Sequence, residues 1–207
     1  MTTSNKTNTL PRQKRCFSVC CMTCCSRRTT KTRAKKMTTE YLLQREVDLV
    51  LAALMPGNRL VMRVALHTGL RVGDVLALRT AQIKPRFWIT EQKTGKRRAV
   101  GLPADLRADI LAQAGPEWAF PGRRPDKPRT RQAVWKDVKR AAKAFRLPVN
   151  AGTHSARKVY AVELMREYGD VERVARTLNH THMSTTLIYA LADAQRKAKR
   201  GRKQKRS

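Results

Sequence analysis

Thr68-Gly69-Leu70-Arg71-Val72-Gly73-Asp74-Val75-Leu76 joins two helical stretches and places an arginine and an aspartate at their junction. Upstream, the pattern predicts a helix over about Asn58–His67 that ends at Thr68-Gly69. Downstream, a further helix starts at Arg71 and buries Val75, Leu76 and Leu78. Before these, Thr39 caps a helix over about Glu40–Leu54, with Leu43, Val47, Val50, Leu51 and Leu54 at helical spacing. Pro56-Gly57 breaks that helix. After Leu78, Phe87–Gln92 and Arg97–Leu102 read as two strands with Thr94-Gly95 turning between them, which makes a β-hairpin. Pro103 opens a helix to about Ala114, and 115–128 is a loop rich in Pro, Gly and Arg. Thr130 to about Phe145 is amphipathic, with Val134, Val138, Ala141 and Ala142 inward, and helices follow at about 154–168, 171–178 and 183–198. The expected fold is mainly α with one small antiparallel β-sheet (α+β).

Charge sets the partner class. The chain of 207 residues carries 45 Lys+Arg against 15 Asp+Glu, a net charge of +30, with 41% hydrophobic residues. That hydrophobic share supports a packed core. A surplus of positive charge repels itself unless it meets a polyanion, and each phosphate contact releases condensed counterions. Residues 1–38 hold ten basic residues and no acid, and residues 195–207 hold eight and no acid. The body, 39–194, still carries 27 basic residues against 15 acidic ones. Tails alone would fit a solubility or import feature, and small basic proteins also serve as packers of nucleic acid. A basic body as well points to a folded face for nucleic acid.

All five cysteines, Cys16, Cys20, Cys21, Cys24 and Cys25, lie in the leader, so the body does not depend on disulfides. Cys21-x-x-Cys24 is half of a zinc spacing, with no second pair and no nearby histidine to complete it. No stretch reaches the roughly 18 apolar residues that span a bilayer. The apolar run Cys16–Cys25 is short and is followed at once by Arg27-Arg28, with no small-residue cleavage pattern, so a cytoplasmic protein without a membrane partner is expected. Residues 1–38 read as an unfolded leader, and Met37 is an alternative start.

Breaking a DNA phosphodiester without a metal needs three things. Cationic donors must hold the two non-bridging oxygens as charge builds, a nucleophile must attack phosphorus, and an acid must protonate the departing sugar oxygen. The planar fork of arginine matches two phosphate oxygens, and a tyrosine phenol suits a reversible covalent step. Lysine or histidine suits the third task. The chain offers Arg71 in Thr68-Gly-Leu-Arg-Val-Gly-Asp74, then Lys93 in Gln92-Lys-Thr-Gly at the hairpin tip. His154-Ser-Ala-Arg157, Leu178-Asn-His180 and Thr185-Thr-Leu-Ile-Tyr189 follow.

In this order and spacing the chain resembles the catalytic domain of the tyrosine recombinases, the phage-integrase family, over about residues 39–192. The family pattern is TGLRxxE/D-L, KTG on a hairpin, HxxR, then LGH with the tyrosine nucleophile nine residues after the histidine. His180 to Tyr189 is nine residues. The resemblance implies a tyrosine recombinase catalytic-domain fold over 39–194 and a site-specific recombinase that cuts and rejoins strands through a 3′-phosphotyrosyl link on Tyr189. Arg71 and Arg157 would clamp the scissile phosphate, and His180 would donate a further hydrogen bond to it. His154, one helical turn before Arg157, would help move the phenolic proton or donate to the phosphate. Lys93 would protonate the leaving 5′-oxygen. Asp74 would orient an arginine; as an acid in the first turn of a helix it is also favoured by the helix dipole alone. One phosphodiester replaces another, so neither a metal nor another cofactor is required.

The chain departs from the family pattern at Asn179, where glycine is usual, and Asn is the next-best residue for a helix end with positive φ. Ala156 and Lys158 also differ from the usual residues. Family members carry an N-terminal core-binding domain that closes on DNA with the catalytic domain, whereas 38 residues precede the body here. Two other outcomes share these residues: a DNA-binding remnant that does not cleave, and a DNA-relaxing enzyme of the type IB topoisomerase class. The implied partners are double-stranded DNA and further copies of the chain on that DNA, with the basic tail, 195–207, docking on a neighbour or on phosphates.

Overall fold

The computed structural model describes residues 39–124 and 126–179. The leader with its cysteines, His180, the helix expected over 183–198 with Tyr189, and the tail lie outside the described residues. The described residues form α1 (Gln44–Ala53), α2 (Pro56–Thr68) and α3 (Val72–Leu76), then a 3-10 turn (Thr80–Gln82). Strands β1 (Arg86–Thr90) and β2 (Arg97–Gly101) come next, followed by α4 (Ala104–Gln113), α5 (Arg131–Ala144), α6 (Thr153–Tyr168) and α7 (Val171–Thr177). The mainly helical architecture with one small antiparallel sheet is the one expected.

Helix α2 runs through the middle and packs against α1, α3, α4, α5 and α6. Its Val61, Met62, Val64 and Ala65 are buried, because apolar residues at three- and four-residue spacing cover one broad face. Each fully buried valine contributes about 1.5–3 kcal/mol relative to an exposed one. From α5, Val134, Val138, Ala141 and Ala142 face this core as expected. The Thr130 side chain caps α5 by accepting the Ala133 N–H at 3.2 Å. The buried Asp137 carboxylate ties α5 to the α1–α2 junction, accepting the Met55 N–H at 2.9 Å and the Asn58 amide at 2.7 Å. Helix α6 serves two cores. Ala156, Val159 and Val162 join the main one, and Ala161 and Leu164 pack with Val174 and Leu178 of the following segment.

Two expectations about the first helices need correction. Thr39 does not cap α1, which begins at Gln44, about one turn later than expected. The chain before it is held by tertiary contacts instead: the Glu40 N–H donates to the Asn150 carbonyl at 3.0 Å, and Ser155 Oγ donates to the Glu40 carbonyl at 2.7 Å. The Glu46 carboxylate then accepts the Leu43 N–H at 2.8 Å and supplies the N-terminal partner. Pro56 does end α1, yet it also starts α2, because its fixed φ and missing N–H suit a first helical position. Among the described residues, no helix is long and apolar enough to cross a membrane.

Candidate active site

Gly69 ends α2 with φ 65, the left-handed conformation that glycine adopts at low cost. The chain then reverses through Leu70 into α3, and Arg71 becomes the residue before its first turn. That turn carries Asp74, which is buried. Asp74 Oδ1 accepts the Gln92 N–H at 3.0 Å, and Oδ2 lies 4.0 Å from Arg71 Nη1. Asp74 therefore fastens the hairpin to the first turn of α3, with its second oxygen at the edge of ion-pair range from Arg71.

The hairpin strands pair in register from Arg86↔Gly101 to Thr90↔Arg97. Along β1 burial alternates, with Phe87 and Ile89 inward. The next inward position is Glu91, which is wholly buried. Its N–H donates to the Lys96 carbonyl at 3.0 Å and its carbonyl accepts the Gly95 N–H at 2.8 Å, with Gly95 at φ 66 closing the turn. Lys93 stands exposed in that turn.

Arg71, Asp74, Gln92, Lys93, Arg131 and His154 line one cleft of about 440 Å³. Three of the expected catalytic side chains thus reach a common space, from α3, the hairpin and α6. Arg157 does not line it. Its guanidinium is buried behind the cleft, donating from Nη1 to the Gly69 carbonyl at 2.6 Å and from Nη2 to the Leu178 carbonyl. Arg71 and Arg157 meet on Glu91: Arg71 Nη1 donates to Oε2, and Arg157 Nη1 lies 3.8 Å from Oε1. Arg98 Nη1 lies 3.9 Å from the same Oε1.

Glu91 and Arg131 were absent from the sequence-based site. Glu91 had a legible signal, since Phe87, Ile89 and Glu91 share one face of a strand and a carboxylate on a core face needs partners. Arg131 had none, because only the packing of α5 beside α6 brings its first residue to the cleft. Two departures from the family pattern have a structural outcome. Asn179 takes φ 51, as expected for that position. Lys158 donates to the Thr39 carbonyl and secures the start of the described chain.

Electrostatics separates the titratable groups. Burial pushes the Glu91 carboxyl up, but hydrogen bonds from Arg71 and Thr94 and the charges of Arg157 and Arg71 outweigh it, so it sits below the usual carboxylate range. His154 lies below the usual histidine range, through partial withdrawal of its ring from water and then through Arg131, Arg157, Arg71 and Lys158. Its folded form therefore binds fewer protons than the unfolded chain. Stability should fall as pH drops through the unfolded histidine pKa of about 6.5, and no such loss should arise above it. Thermal melts between pH 8 and pH 5 should show this slope, and His154→Gln should flatten it. An unchanged slope in the variant would remove the proposed cause. Tyr160 of α6 is half-buried against Gly69, and burial raises its phenol pKa, so it is poorly suited to attack phosphorus.

The profile of the phage integrase family matches residues 40–196. The integrase of Escherichia phage P2 is 32% identical over 167 residues, covering 79% of this chain and 46% of that protein. A tyrosine recombinase of Thermosipho africanus is 28% identical over 169 residues, covering 76% of this chain and 59% of that protein. The chain thus spans about half the length of these relatives. Among solved structures, a lambda integrase dimer bound to a COC′ core site superposes with a TM-score of 0.63 at 22% identity. That match covers 77% of this chain and 50% of the integrase chain and shows a shared fold. With the ordered motifs and the arginine–lysine–histidine cleft, these likenesses establish that the chain belongs to the phage integrase family of tyrosine recombinases.

Proposed function

We propose that the chain cleaves and rejoins double-stranded DNA by strand transfer through Tyr189. The observation that carries this reading is the cleft in which Arg71, Lys93 and His154 converge, with Arg157 facing the same buried Glu91 as Arg71. A scissile phosphate in that cleft would meet Arg71, whose planar donors match its non-bridging oxygens. His180 would add a donor. Desolvation and the surrounding cations hold His154 below the usual histidine range, which favours the neutral ring whose free nitrogen can accept the phenolic proton. The Tyr189 oxygen attacks phosphorus, the P–O bond to the 5′-oxygen breaks, and Lys93 gives that oxygen its proton. A 3′-phosphotyrosyl link and a free 5′-hydroxyl result. The reverse attack by a 5′-hydroxyl restores the phosphodiester and the phenol, so no external energy source enters. The net charge of +30 supports DNA as the polyanion, and the DNA-bound lambda integrase dimer supports assembly of copies on that DNA.

The test uses the full chain and a pool of nicked duplexes with randomised sequence around the nick, from which the released fragment diffuses away. A covalent protein–DNA band that survives denaturant is expected from the native chain, and Tyr189→Phe should abolish it. Salt-dependent binding with no covalent band from the native chain would instead make this a DNA-binding module.

A further inference from the structure

We infer that Glu91 is a positioning residue that couples the Lys93 hairpin to the Arg71–Arg157 pair. This rests on the reading of the cleft as a strand-transfer site. Glu91 is fully buried, so its carboxylate cannot be a solvated surface charge. It faces Arg71, Arg98 and Arg157 together, and Asp74 alone could not hold three guanidinium groups at one point. The same carboxylate reaches the hairpin, since Thr94 Oγ donates to Oε2 at 3.0 Å. Oε2 is thus shared between Thr94, next to Lys93, and Arg71. The Glu91 backbone closes the turn through Gly95 and Lys96.

A change in hairpin position therefore moves the lysine and the arginine together. Asp74 gives a parallel link, from Arg71 to the Gln92 N–H. Two carboxylates thus bracket Lys93 and are both paired with Arg71. A stabilising role in the fold alone would need one charge on the arginines and no contact to the exposed turn. The bond to Thr94 is the part such a role leaves unexplained. Glu91 touches no reacting atom in this arrangement, and its effect passes through Arg71, Arg157 and Lys93.

The test is Glu91→Gln, which keeps shape and removes charge, beside Thr94→Val, which leaves the buried carboxylate in place. In Glu91→Gln, single-turnover formation of the covalent adduct should fall about 100-fold. Duplex affinity should stay within about threefold, because the Glu91 carboxylate is buried and presents no atom to the DNA. Thr94→Val should lose about tenfold in cleavage and guards against a Glu91→Gln chain that fails to fold. A second readout does not depend on cleavage. Amide hydrogen exchange at Gly95 should quicken about tenfold in both variants while Val64 and Ala65 of α2 stay protected. Cleavage within threefold of the native chain, unchanged exchange at Gly95, or parallel loss of protection in α2 would each overturn the inference. If the native chain itself forms no adduct, the strand-transfer reading fails, and exchange at Gly95 alone then decides whether Glu91 holds the hairpin.

Discussion

Arg71→Ala is expected to slow covalent adduct formation by about 10³-fold, with a smaller loss of DNA affinity. Removing one preorganised donor to a developing oxyanion costs about 10²–10³ in rate, and Arg71 supplies both charge and a fork of donors. Arg71→Lys should recover part of the loss, leaving about a 10²-fold deficit, since an ammonium keeps the charge but not the planar pair. The variant has a second signature. In the native protein the depressed Glu91 pKa contributes stability that is present above the unfolded carboxylate value and lost as pH falls through the folded one. Without Arg71, the desolvation of Glu91 loses its leading counterweight. The variant should therefore gain less stability between acid and neutral pH than the native chain. Quench-flow cleavage assays and melts at stepped pH measure the two effects. A variant that cleaves within tenfold of the native chain would remove Arg71 from the phosphate clamp.

Gly69→Ala is expected to cost about 2–5 kcal/mol, a drop in Tm of roughly 4–20 °C for a chain of this size. Two causes add. An alanine held at φ 65 costs about 1–2 kcal/mol. Its Cβ would also lie 2.1 Å from Tyr160 Cδ1 and 2.5 Å from Cε1, which forces the ring or the α2–α6 packing to move. Overpacking of this kind costs about 1–3 kcal/mol. The Gly69 carbonyl accepts from Arg157, so the shift should also reach the arginine pair and slow cleavage in the protein that remains folded. Tyr160→Ala in the Gly69→Ala background should relieve the steric part and leave the backbone part, which a double-mutant cycle separates. A loss below about 1 kcal/mol would mean that the ring yields freely.

Much of the fold was readable from local pattern. The apolar spacing of 134, 138, 141 and 142 describes α5, and Thr94-Gly95 between two β-rich runs describes the hairpin. The misread start of α1 is different in kind. Thr39-Glu40 is a sound local start signal, but the Glu40 backbone is recruited by Asn150 and Ser155, more than a hundred residues away.

The site divides along the same line. The sequence by itself determined which groups could do the chemistry, because residue type and interval are local properties. It named Arg71, Lys93, His154 and Arg157, with His180 and Tyr189 beyond the described residues, and it offered Asp74 as an orienting acid. Only the tertiary structure decided depth and partnership. It put His154 in the cleft wall and Arg157 behind it, bound to Gly69 and Leu178. It brought Arg131 to the rim and gathered Arg71, Arg98 and Arg157 around Glu91. The physical reason is that like charges are held together only by a buried opposite charge, and which of the chain's 15 acids fills that place depends on packing between distant segments.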